Sequence, residues 1–262
     1  MKRVKILPDL MQYPAAFRGI LQSSTVYDSS CSPEARVIFI DRDGGCFLKS
    51  AAAGSLAAEA TMTSYFYQKG LGAAVLSYLT EDGRDWLLTA RVPGEDCTHA
   101  AYLDDPARLC DLLATRLRAL HELDAADCPV QNRTSAYLEA VDEGYRTGRC
   151  DLSYLLDGQQ LSSADEAWRY VQEHCGLLRA DTLLHGDYCL PNIMLDNWRF
   201  SGFIDVGNGG VGDRHIDLFW GAWTLCFNLK TDAYRTRFFD AYGRDKIEPQ
   251  LLRVVAAAEV FG

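Results

Sequence analysis

The chain is short of basic residues. Its 26 Lys and Arg stand against 36 Asp and Glu, for a formal charge of −10 and a pI near 5.0. Nucleic acid demands a basic face for its phosphates, so no nucleic-acid partner is expected, and the same balance leaves room for a cationic one. No run approaches the roughly 18 apolar residues of a bilayer span, so no membrane partner is expected. In "MKRVKILPDLMQYPAAF", Pro8 and Asp9 interrupt the apolar core that a secretory signal needs, so a cytoplasmic location is expected. The nine cysteines are odd in number, dispersed and never spaced C-x-x-C. They read as reduced, small apolar residues, neither a disulfide framework nor a zinc site. Internal repeats and low-complexity tracts are absent too. What remains is a chain of 262 residues, 48% of them hydrophobic, with enough apolar surface for a sizeable core in one large domain or two lobes.

Turn chemistry organises the first third. In "ARVIFIDRDGGCFLKS" the apolar runs Val37 to Ile40 and Cys46 to Lys49 flank Asp43-Gly44-Gly45, a β-hairpin pattern that "AAVLSYLTEDGRDWLLTARV" repeats around Glu81-Asp82-Gly83. Between the hairpins, Leu56, Ala60, Thr63 and Tyr67 recur at helical spacing, with Ser55 as the expected cap and Gly70 as the stop. Pro93-Gly94 closes this pattern. Behind the expected cap Asp105 and Pro106, residues Leu109, Leu112, Leu113, Leu117 and Leu120 share one helix face. Further helices are expected over 134–147, over 163–175 and after Arg214. The fold class is therefore α+β: an antiparallel β-rich lobe with one helix over 1–92, and a mainly helical lobe over 93–262.

The chemistry concentrates in "LLHGDYCLPNIMLDNWRFSGFIDVGNGG". Two short strands joined at Asp196-Asn197 would bring Asp187, Asn192 and Asp205 to one end of a small sheet. Two carboxylates and an amide oxygen are hard ligands that suit Mg²⁺, an ion that shares its sphere with phosphates and water. Phosphoryl transfer uses such a metal together with a carboxylate that orients or deprotonates the attacking hydroxyl. Upstream, alternation in "CFLK" turns Lys49 and Phe47 to one face, and Glu59 falls on the sheet-facing arc of its helix. A carboxylate buried there needs a partner, and Lys49 is the available one.

Taken in order, Lys49, Glu59, H-G-D-x-x-x-x-N at 185–192 and Ile204-Asp205 resemble the aminoglycoside phosphotransferase family, relatives of the protein kinases. "GRDWLL", "VPGED", "CLPNIML" and "RFSGFIDVG" are similar to the aminoglycoside 3′-phosphotransferase branch, and the likeness runs in register from about Lys49 to Asp213. The resemblance implies a bilobal protein-kinase-like fold and a Mg²⁺-dependent kinase using ATP or GTP. It makes Asp187 the catalytic base or hydroxyl-orienting group, Asn192 and Asp205 the Mg²⁺ ligands, and Lys49 the phosphate-holding ammonium. Phe47 would stack on the nucleobase, the backbone from Ala90 to Val92 would meet the base edge, and Ser32 in "SSCSPEAR" would donate to phosphate. His185 and Asp217 would brace the catalytic loop.

The family holds its polycationic sugars with carboxylates, and here Asp157 and Glu259 fall where two such acids are expected. The branch has Arg where this chain has Asn208, an Arg-Asp pair where it has Trp223-Thr224, and two acids followed by two aromatics at the end, where this chain reads "AEVFG". The expected function is transfer of a γ-phosphoryl group to a hydroxyl of a cationic small-molecule acceptor, an aminoglycoside, conferring resistance, by a monomer or dimer. The alternatives are a kinase of another antibiotic or metabolic alcohol, and a nucleotide-binding pseudoenzyme.

Overall fold

Alternation along Cys46–Ala52 sets the plan of the N-terminal sheet. Cys46 and Leu48 point to one face and are buried, while Phe47 and Lys49 point to the other and are half-buried. The structure, a computed structural model, describes residues 3–31, 33–155 and 161–262, so the expectations on Ser32 and Asp157 lie outside the described residues. In chain order the elements are β1 (Val4–Ile6), α1 (Ala15–Gln22), β2 (Thr25–Asp28), β3 (Arg36–Asp41), β4 (Cys46–Ala52), α2 (Ala57–Gln68), β5 (Val75–Glu81), β6 (Arg84–Ala90) and β7 (Glu95–Asp96). There follow α3 (Ala100–Leu103), α4 (Pro106–His121), α5 (Arg133–Thr147), α6 (Ala164–His174), β8 (Thr182–Leu184), β9 (Ile193–Asp196), β10 (Arg199–Phe203), β11 (Gly210–Gly212), α7 (His215–Leu229), α8 (Arg235–Tyr242) and α9 (Pro249–Glu259). No helix among the described residues is long and apolar enough to cross a membrane.

The chain divides into two units. The first takes the residues up to Asp96 together with Pro191–Gly207, and the second takes Cys97–Leu190 and Asn208–Gly262. The boundary differs from a single cut at 92/93. Strand β9 pairs with β7, Glu95 opposite Leu195 and Asp96 opposite Met194, and Phe203 N donates to Leu71 O at 2.7 Å, which ties the β9–β10 hairpin to the first unit.

In the first unit a six-stranded antiparallel sheet has the order β1-β2-β3-β4-β6-β5. One face buries Ile38, Ile40, Leu48 and Trp86 against Phe17 and Leu21 of α1. Each aliphatic side chain fully buried there contributes on the order of 1.5–3 kcal/mol. The expectation of one helix in this region is corrected to two, because α1 precedes the hairpins and covers the face opposite α2. The other face packs Leu87 and Ala51 on Ala60 of α2 and on Leu56 just before it. The start of α2 is also a correction. Ser55 turns its hydroxyl to Ala52 O, and the buried Asp85 of β6 accepts from Leu56 N at 3.0 Å instead. Both hairpins stand where the turn residues place them, with Asp43 and Asp82 in the left-handed region at φ 50° and 52°.

The second unit is helical around a short β8–β11 pair. Asp105 caps α4 by accepting from Arg108 N, with Pro106 in its first turn. Helix α9 runs through the core, packed on α5, α6 and α7, so its positions from Val254 to Glu259 are all buried.

Candidate active site

The first unit encloses a cavity of about 510 Å³ lined by Phe47 and Lys49 of β4, Glu59 of α2, Ala90 and Val92 after β6, and Asn192 and Asp205 at the ends of the β9–β10 hairpin. Lys49 Nζ donates to Glu59 Oε2 at 2.7 Å and to Asp205 Oδ1 at 3.0 Å. Burial alone would lower the Lys49 pKa, but Asp205 and Glu59 outweigh it and hold the ammonium above its ordinary value, so it stays charged. Burial lifts Glu59 above the usual carboxylate range, and Lys49 offsets only part of that. Two carboxylates thus aim one ammonium into the cavity, the arrangement required to present a fixed positive charge to a polyanion.

Pairing of the hairpin brings Asn192 and Asp205 together. Phe203 lies opposite Ile193, and one step further Ile204 N donates to Asn192 O at 3.0 Å. Asp205 sits in the left-handed region at φ 58°, a conformation that costs a non-glycine residue on the order of 1 kcal/mol and is held here by its surroundings. Asn192 is buried, whereas the Asp205 side chain is about half exposed toward the cavity. An amide oxygen and a carboxylate are hard donors and fit Mg²⁺, with phosphate and water oxygens completing the sphere. Among the described residues no group of three or more His, Cys, Asp or Glu is placed to hold a metal on its own.

Also in the lining, Ala90 and Arg91 have N–H groups already donated, to Ala74 O at 2.9 Å and Gly45 O at 3.0 Å. Val92, the next residue, also lines the cavity. Arg3, which the sequence did not single out, also lines the cavity and lays its guanidinium 3.8 Å from the Phe39 ring centroid and 5.6 Å from that of Phe47. No local pattern around residue 3 announces this.

Asp187 belongs to the second unit, on the loop that leaves β8. The fully buried Asp217 of α7 anchors that loop, accepting from His185 N at 2.7 Å, from Gly186 N at 2.8 Å and bonding His121 Nε2 at 3.2 Å. Gly186 has φ 84°, and a Cβ there would stand 1.8 Å from Asn208 O, so the middle residue of H-G-D has to be glycine. His185 Nδ1 accepts from Asp187 N at 3.2 Å, a loop-shaping bond inside the motif. Burial, with Asp187 beside it, pushes the Cys189 thiol well above its ordinary pKa, which removes it as a nucleophile.

Glu259 stands in a setting different from an acceptor surface. It is 4% exposed, and Oε1 accepts from Tyr137 Oη and from Trp220 Nε1, both at 3.0 Å. Burial, with Asp187 adding to it, pushes its carboxyl up to about 7 against the two hydrogen bonds. The physical reason is its place on α9, whose neighbouring positions are all core.

Residues 34–255 match the phosphotransferase enzyme family. The chain is 48% identical over 262 residues to a probable aminoglycoside 3′-phosphotransferase of Lactococcus lactis subsp. lactis (strain IL1403), covering 100% of this chain and 99% of that one. It is similar to the crystal structure of an aminoglycoside-3′-phosphotransferase of type VIII, with TM-score 0.67 and 25% identity over 89% of this chain and 92% of that one. An aminoglycoside phosphotransferase of Streptomyces rimosus in complex with ADP and streptomycin shares the fold at TM-score 0.65 and 24% identity, covering 87% and 91%. With the family matched over most of its length and a relative alike from end to end, the chain belongs to the phosphotransferase enzyme family.

Proposed function

We propose that the protein is a small-molecule kinase that transfers the γ-phosphoryl group of ATP or GTP to a hydroxyl of an aminoglycoside, of the 3′-phosphotransferase type, and so confers resistance. The full-length similarity to the Lactococcus protein supports the acceptor class, and the ADP-bound neighbour supports a nucleotide donor. The observation that carries the reading is that Lys49 and Glu59, and Asn192 and Asp205, two pairs from distant stretches of the sequence, line one cavity with the ammonium already aimed by two carboxylates.

In this reading the first unit binds the nucleotide. Lys49 holds phosphate oxygens, Phe47 stacks on the base, and Val92 meets its edge. Asn192 and Asp205 would hold Mg²⁺, which when bound neutralises charge on the transferring phosphoryl group. The second unit supplies Asp187, which orients the acceptor hydroxyl and takes its proton as the oxygen bonds to the γ-phosphorus. The bond from that phosphorus to the β–γ bridging oxygen breaks, and nucleoside diphosphate leaves. Asp217 keeps the loop that carries Asp187 in place. Action in the cytoplasm fits a donor and a metal that are abundant there.

The test is mass spectrometry of products after incubation with ATP or GTP, Mg²⁺, kanamycin and a 3′-deoxy analogue. Kanamycin is expected to gain one phosphoryl group and the analogue none. Equal phosphorylation of both would remove the 3′ site, and intact nucleotide binding with no aminoglycoside turned over would move the acceptor to another chemical class.

A further inference from the structure

Helix α7 carries an unusual concentration of rings on the side that meets the catalytic loop. Trp220, Trp223 and Phe227 follow one another at helical spacing, so they share a face. Trp220 and Trp223 meet edge to face at 5.3 Å, Trp223 stacks on Phe227 at 4.8 Å with planes 13° apart, and Tyr154 closes on Trp220 and Trp223 at 5.7 Å each. None of the four is fully buried, and Phe227 is 54% exposed. Tyr154, Trp220 and Trp223 pack on the core with one side and stay partly exposed, whereas Phe227 stands mostly open.

Their helix bonds the loop that carries Asp187. Thr224, the residue after Trp223, accepts from Leu190 N at 3.1 Å, three positions beyond Asp187. Cys189 bonds both the Asp187 side chain and Thr224, and Glu259, which holds the Trp220 indole, lies close enough to Asp187 for the two negative charges to interact. The wall also carries a cation of its own. Lys230, at the end of α7 with φ 56°, places its ammonium 4.1 Å from the Phe227 ring centroid. Phe227 therefore already holds an alkylammonium by cation–π attraction.

We propose that Tyr154, Trp220, Trp223 and Phe227 form the acceptor-binding wall of this kinase, taking an amino-sugar ring by its C–H face and its ammonium groups by cation–π contact. The proposal rests on the reading of the protein as an aminoglycoside kinase and names what recognises the acceptor in the second unit. Glu259 is then a positioning residue: its Oε1 fixes the Trp220 indole through Nε1 and does not itself meet the acceptor. Lys230 competes with the incoming ammonium for Phe227.

The experiment is steady-state kinetics with ATP, Mg²⁺ and kanamycin on the parent and on Trp223→Ala, Trp223→Phe, Phe227→Ala and Lys230→Gln. Phe227 and Lys230 lie at the surface, so those two variants keep the test alive if Trp223→Ala does not fold. Trp223→Ala is expected to raise the kanamycin KM about tenfold, Phe227→Ala several-fold, and Trp223→Phe to restore most of the loss, with nucleotide KM and kcat within about twofold. Lys230→Gln is expected to lower the kanamycin KM. A kanamycin KM unchanged in Phe227→Ala and Trp223→Ala, with the parent active, overturns the wall alone. Absence of phosphorylation by the parent overturns the functional reading and this inference with it.

Discussion

Replacing Glu259 with glutamine is expected to stabilise the protein above neutral pH. The carboxyl is pushed from its ordinary 4.5 up to about 7, chiefly by burial, so the folded state binds a proton that the unfolded state has already released. Stability must then fall as pH rises from about 4.5 to about 7, and level off above it. At about 1.4 kcal/mol for each tenfold change in proton affinity, the full cost of ionising this buried group approaches about 3 kcal/mol. Glutamine keeps an oxygen for Trp220 Nε1 and Tyr137 Oη and carries no charge. Urea denaturation of parent and Glu259→Gln at pH 5 and pH 8, at one ionic strength, reads the effect directly. The stability gap in favour of the variant should widen by about 2–3 kcal/mol between the two pH values. A gap that stays constant, or that turns against glutamine at pH 8, would refute the argument, because the carboxylate would then be stabilised as an anion.

Lys49→Ala leaves Glu59 without its ammonium on a largely buried face, so unfolding free energy should fall by roughly 1–3 kcal/mol and nucleotide affinity should fall with it, checked by denaturation without ligand and by equilibrium nucleotide titration. Parental nucleotide affinity in this variant would dispose of the ammonium's assigned role. Asp217→Asn weakens the charge-assisted bonds from His185 N and Gly186 N, and should cost about 2 kcal/mol of stability and lower kcat while leaving the nucleotide Kd near parental. An unchanged kcat would mean that the loop holds its shape without Asp217.

Local signals carried far in this sequence, and their reach explains what was missed. The hairpins are legible because Asp43, Asp82 and the glycines beside them take up the left-handed turns that they favour, and α4 because Asp105 and Pro106 stand side by side at its start. The Lys49–Glu59 pair is legible because strand alternation and helix arc, each a local property, turn both groups to one face. The cap of α2 is not, since Asp85 comes from a strand 29 residues away and the nearby Ser55 spends its hydroxyl on Ala52 O. Glu259 is the clearest case. It sits in the run "VVAAAEVF", whose apolar neighbours signal a core helix, but its partners Tyr137 and Trp220 lie 122 and 39 residues away and only the folded chain brings them together. The ring cluster on α7 has helical spacing in the sequence, yet that spacing alone does not distinguish a core stripe from a partly open wall.

The most direct test of the account is the behaviour of Asp187→Asn. Nucleotide titration in the presence of Mg²⁺ should give a Kd within about twofold of the parent, since Asp187 belongs to the second unit and Lys49, Asn192 and Asp205 to the first. Kanamycin-dependent release of nucleoside diphosphate should fall by a factor of roughly 100 or more, the usual loss when a positioned base is removed. Turnover near the parental rate, with nucleotide binding intact, would contradict the assignment of Asp187 to the acceptor hydroxyl.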